Sequence, residues 1–158
     1  MLADELPALV AGLRTVHLAT LDAEGVPEAS YAPFVPTGAG TLLVYVSELA
    51  RHTRNMLVTA KAGAMLVEDE ASAAELFARR RLSLVCAVSE IPRGTAPWER
   101  ALDGFEARFG GEVVALVRPI TDFRLLDLEA RSGRYVRGFA QAYPLDAADL
   151  ARVLSPQD

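Results

Sequence analysis

Apolar residues open the chain at helical spacing and then change period. Leu2, Leu6, Leu9, Val10 and Leu13 fall on one side of a helical repeat, which predicts an amphipathic helix over residues 2–13. From Arg14 the period drops to that of a strand. Residues 14–21 (RTVHLATL) alternate as a half-buried strand does, residues 22–25 (DAEG) supply a turn, and residues 27–35 return as the second arm of a hairpin. A second turn at 37–40 (TGAG) leads into the apolar run Thr41 to Val46. A helix and a three-stranded antiparallel meander account for this opening stretch.

The remainder alternates short helices with strands. Residues 51–59 are helix-like, 62–68 form a strand, and Glu68-Asp-Glu70 reads as a solvated turn. Residues 71–78 are a turn or a single helical turn. A long strand is predicted over 79–91, where Leu82, Leu84, Cys86 and Val88 alternate with Ser83, Val85 and Ala87. Residues 92–97 (PRGTAP) break it, and Thr95 with Pro97 and Trp98 opens a helix to Phe109, ended by Gly110-Gly111. A final hairpin is predicted from strands 121–128 and 134–143 with a turn at 130–133 (ARSG), followed by a helix over 146–154. With no repeat, low-complexity tract or linker, residues 1–158 read as a single domain. Six or seven strands joined by short turns predict a mainly β, antiparallel barrel or sandwich with flanking helices. Closure is favoured because it removes exposed strand edges, and the connections are too short for parallel crossovers.

Composition narrows the function. At 158 residues, 51% hydrophobic and 23% charged, the chain can bury an ordinary globular core. No apolar run reaches the length of a membrane span, and residues 1–7 lack the basic start and apolar core of a secretory leader. A cytoplasmic protein is expected. The lone cysteine, Cys86, reads as a buried small hydrophobe. A net charge of −5 argues against a basic nucleic-acid surface. Fifteen of the 16 basic residues are arginine, which biased codon usage explains in the main. It does not explain why Arg51, Arg54 and Arg79 to Arg81 collect around one strand–helix–strand unit. On an acidic protein that patch points to a small anionic ligand.

Residues 46–55 (VSELARHTRN) carry the most chemistry, because they lie where a strand ends and a helix begins. Backbone N–H groups are unpaired there and the helix dipole favours negative charge. Threonine and asparagine can cap the helix, and arginine can fork onto a phosphate. A phosphate-bearing cofactor is therefore expected, with Ser47, Arg51, His52, Thr53 and Asn55 as its candidate contacts. Arg79 and Arg81 share a face of the following strand and join the set, Arg81 first, while Arg80 points the other way. His17 reads as solvent-facing or locally satisfied rather than as a metal ligand. Two histidines and one cysteine without paired spacing predict no metal site. Trp98, Phe105 and Phe109 recur at helix spacing and read as core. Ser47 and Ser89 lack histidine–acid partners, so no catalytic triad is assigned and the catalytic residues stay unknown.

Four segments carry a family resemblance: residues 47–55 (SELARHTRN), 76–84 (LFARRRLSL), 105–109 (FEARF), and 122–125 (DFRL) with 133–142 (GRYVRGFAQA). In this order, and together spanning about residues 14–143, the chain resembles the pyridoxamine 5′-phosphate oxidase-like FMN-binding split barrels, above all their haem-utilisation branch. The resemblance implies a six-stranded antiparallel split β-barrel, assembled as a homodimer with two cofactor sites at the subunit interface. It also implies that residues matching 51–55 and 79–81 hold a flavin phosphate, with the isoalloxazine near residues 17–20 and 30–32. An FMN-binding flavoprotein oxidoreductase of unassigned substrate is the expectation, and a haem-binding protein without flavin is the alternative. Vitamin synthesis is not expected, because 135–139 (YVRGF) lacks the tryptophan-containing signature of true pyridoxamine phosphate oxidases. Haem-degrading members hold iron through a histidine near the end of the chain. Residues 145–158 contain no histidine, cysteine or methionine, so the resemblance implies weak haem binding without that ligation, and slow or absent breakdown.

Overall fold

The structure, a computed structural model, describes residues 2–155. Its strands follow the predicted alternation closely. In β1 (Thr15–Leu21), Val16, Leu18 and Thr20 are buried while His17, Ala19 and Leu21 are exposed. The same alternation runs through β2 (Pro27–Thr37), β4 (Lys61–Val67) and β5 (Arg81–Ile91). β3 (Thr41–Ser47) is apolar on both faces because both are covered. Leu42, Val44 and Val46 point into the barrel, and Leu43 and Tyr45 lie beneath α3 (Ala96–Phe109) and α4 (Gly111–Val117). The strand order β3-β2-β1-β4-β5-β6, closed by β3 pairing with β6 (Phe123–Gly138), makes the antiparallel six-stranded barrel that the resemblance implied, where pattern alone left barrel or sandwich open. β7 (Gln141–Leu145) adds a seventh strand beside the second half of β6.

Two apolar cores result. The barrel interior is filled by Phe34, Leu42, Leu66, Leu82, Leu126, Leu128 and their neighbours, closed off by Leu6, Leu9 and Val10 of α1 (Leu2–Gly12) and by Leu150 and Leu154 of the α5 (Ala147–Val153) segment. The side chain of Leu2 lies outside the described residues. The second core joins Trp98, Leu102 and Phe105 of α3 to Tyr45 and Leu125 on the barrel wall, with Phe109 at its margin. Arg93 pins that wall: it donates to the carbonyls of Arg118 (2.8 Å), Ile120 (2.7 Å) and Phe123 (3.2 Å), and its guanidinium stacks 5.0 Å from the Trp98 ring centroid. Among the described residues, no helix is long and apolar enough to cross a membrane.

Two local expectations are corrected. The predicted turn at residues 130–133 does not exist. β6 runs through it, with Val85 opposite Ser132 and Cys86 opposite Ala130, so Arg131 is accommodated as a bulge. The reversal comes later, at residues 138–141, where Ala140 adopts a left-handed φ of 56°. β5 begins only at Arg81, so Arg79 and Arg80 belong to the connection before it and do not alternate along a strand.

Candidate functional site

The first candidate region is the start of α2 (Arg51–Thr59), and its partners differ from those the sequence suggests. Ala50 occupies the N-cap, without a side-chain cap, so Thr53 and Asn55 do not cap the helix. Both turn inward and are buried. Asn55 donates to the Thr20 hydroxyl at 3.0 Å, whereas the buried Thr53 hydroxyl has no partner among the described residues. Ser47 donates to Asp122 at 2.9 Å and accepts from the Leu49 N–H at 3.1 Å. Arg51, largely exposed, pairs with Glu28 at 3.2 Å. Arg54 reaches back to the carbonyls of Glu48 and Leu49. His52 is half-buried, and desolvation pushes its pKa below the ordinary imidazole value although the Glu28 charge opposes the shift. The arrangement leaves Thr53 and His52 as the least committed polar groups at this helix start.

The predicted arginine cluster separates in space. Arg79 donates through Nε (2.9 Å) and Nη2 to the Glu68 carbonyl, and Arg80 grips the Glu68 carboxylate through its N–H (2.8 Å) and Nε (2.7 Å). Glu68 is therefore a buried ion-pair partner and not the solvated turn residue expected. Arg81 alone turns to a groove, while also donating to the Arg79 carbonyl at 3.2 Å.

That groove belongs to a second region, which includes residues 17–20 and 30–32, where the resemblance implied a flavin ring but no contact residue was assigned. On the outer barrel face, strand register aligns Tyr31, His17, Met65, Ser83 and Arg134 in one row across β2, β1, β4, β5 and β6. Small residues flatten the row beside it, where Ala29, Ala19, Gly63 and Val85 pair in turn. A Cβ on Gly63 would meet the Ala19 Cβ at 3.4 Å, so glycine keeps this surface level. A groove of about 440 Å³ lies over His17, Ala19, Ala29, Gly63, Met65 and Ser83. A larger one, about 640 Å³, lies over Arg81, Val85, Arg134 and Phe139, and the two meet at Ser83 and Leu84. Tyr31 is 64% and Val85 63% exposed, a large apolar outlay for one sheet face. Period-two alternation marks each residue as outward-facing, but the β1–β4 pairing that assembles the row joins strands distant in sequence.

No group of three or more histidine, cysteine, aspartate or glutamate side chains able to hold a metal ion occurs among the described residues. Cys86 is buried, and desolvation, with the Asp127 charge adding to it, pushes its thiol pKa to about 12. A thiolate ligand or nucleophile is thus not available there.

Comparison with known proteins places this geometry. Residues 2–137 match the family described as pyridoxamine 5′-phosphate oxidase. The chain is 39% identical over 137 residues to haem oxygenase HutZ of Vibrio cholerae serotype O1, covering 87% of this chain and 77% of that protein. The crystal structure of HutZ, described as the haem storage protein from Vibrio cholerae, superposes with a TM-score of 0.81 at 33% identity, over 87% of this chain and 96% of that one. ChuZ of Campylobacter jejuni gives a TM-score of 0.83 at 34% identity over 98% of this chain, which spans only 64% of the ChuZ chain.

Proposed function

This chain belongs to the pyridoxamine 5′-phosphate oxidase family, and on that premise we propose that it is a haem-binding protein whose site is the outer barrel face. The observation that carries the reading is the 39% identity to a protein named for haem, coupled to a flat, exposed apolar surface. The donor set fits the group: imidazole and thioether side chains stand on that surface, and guanidiniums that suit carboxylates stand at one end. Bound haem would supply a redox-active iron. The residues of this chain would bury the macrocycle's faces, exclude water and hold its charged edge. We also propose a homodimer built on the same face, because Leu21, Tyr31 and Val85 are exposed on it and a self-complementary contact would bury them.

FMN binding is the second reading, favoured by one observation: the Thr53 hydroxyl is buried in the first turn of α2 and has no partner among the described residues. Less supports it otherwise, since Ser47, Arg51, Asn55 and Arg79 already have protein partners. A haem titration followed by absorbance between about 350 and 700 nm, beside an FMN fluorescence-quenching titration, decides between them. Saturable haem spectra without flavin quenching are expected. Flavin quenching with no haem spectrum would overturn the proposal.

A further inference from the structure

We propose that His17 is the axial ligand of haem iron in this chain, and that Arg134 and Arg81 hold the porphyrin carboxylates at the other end of the same face. This assignment rests on the haem reading. Sequence reading treats His17 as an ordinary outward strand residue. Its surroundings change that view.

Two histidines, His17 and His52, are candidates, and imidazole is a usual strong axial ligand of haem iron. The two stand in different places. His52 lies in the first turn of α2, half-buried beside Glu28, itself engaged by Arg51. A planar macrocycle needs an open flat approach, and a helix start flanked by an ion pair offers little. His17 is exposed at the centre of a broad sheet face, between Tyr31 on one neighbouring strand and Met65 on the other. Ala19, Ala29 and Gly63 beside it project too little to obstruct a ring system.

Charge completes the match. From His17 the row passes through Met65 and Ser83 to Arg134, three interstrand steps of about 4.8 Å each, or about 14 Å. Arg134 and Arg81 both line the larger groove, which joins the His17 groove at Ser83 and Leu84. Among the described residues, no carboxylate side chain lines either groove. A flat disc with iron at its centre, an apolar rim and anionic groups along one edge therefore meets an imidazole, a level apolar floor around it and two guanidiniums on one side. Imidazole is also a stronger ligand for ferric iron than the neighbouring Met65 thioether.

The test titrates the full chain with ferric haem and reads the visible spectrum of the wild type, His17→Ala and His52→Ala. His17 is exposed, so its removal should leave far-UV circular dichroism unchanged. The wild type and His52→Ala should share one histidine-ligated spectrum. His17→Ala should lose that spectrum and about tenfold in affinity, and added free imidazole should restore the spectrum. Arg134→Ala should lower affinity for haem about tenfold while leaving haem dimethyl ester, whose carboxylates are masked, unaffected. A histidine-type spectrum that survives in His17→Ala, or is lost in His52→Ala instead, overturns the assignment while leaving haem binding intact. Absence of any haem spectrum in the wild type overturns the haem reading itself, and this assignment with it.

Discussion

The side chain of Glu68 anchors the connection between β4 and β5 through charge rather than through apolar packing. Its buried carboxylate takes the Arg80 N–H and Nε, and its carbonyl takes Arg79. Desolvation pushes the carboxyl pKa up, but the Arg80 hydrogen bonds and the charges of Arg80 and Arg79 together outweigh it. The net shift is below the ordinary value. A carboxyl depressed in the folded state adds stability that is fully present above the unfolded pKa and disappears as pH falls through the folded one. Glu68→Gln should therefore lower stability by about 1–3 kcal/mol at neutral pH. In urea midpoints measured across pH, the gap to wild type should narrow from the ordinary glutamate range downward. A gap that stays constant to low pH would contradict the ion-pair account. In sequence this residue sits among three acids and resembles a solvated corner, since its partner lies 12 residues away across an irregular connection.

Among the elements, the long strand β6 separates what local pattern can and cannot show. Period-two alternation gave β1, β2, β4 and β5 nearly to their ends, because each buries one face against the barrel core, and an apolar run gave β3, which is covered on both faces. At residues 130–133 the local signal reads as a turn, yet β5 pairs on both sides of it and tertiary pairing carries the strand through. α4 was also missed, a short helix directly after the glycine pair that ends α3. Gly133 shows the physical constraint: an added Cβ would meet Leu84 Cδ2 at 3.0 Å, Leu150 Cδ2 at 3.2 Å and the Ser83 carbonyl at 3.2 Å. It is needed for close approach of β5 and α5, not to form a turn. Gly133→Ala should destabilise by about 1–3 kcal/mol in chemical denaturation. Ala at a flexible turn would cost little, so an unchanged midpoint would contradict the packing assigned to β6.

For the molecule as a whole, the barrel was legible, whereas of the face proposed to bind haem only Arg81 and, through the resemblance, residues 17–20 and 30–32 stood out in the sequence. Residues 47–55 drew attention because basic and hydroxyl groups crowd a strand–helix junction. Folding turns Thr53 and Asn55 inward, pairs Arg51 with Glu28 and gives Arg79 to Glu68. The outer row from Tyr31 to Arg134 exists only once β1 pairs with β4, a register that no neighbouring residues specify. The proposed dimer and the proposed haem site share this exposed apolar face. Native mass spectrometry of the chain saturated with haem measures both together. The account predicts a species of about twice the 17.0 kDa chain mass carrying two haem groups. A monomer, or a dimer that keeps no haem, would contradict it.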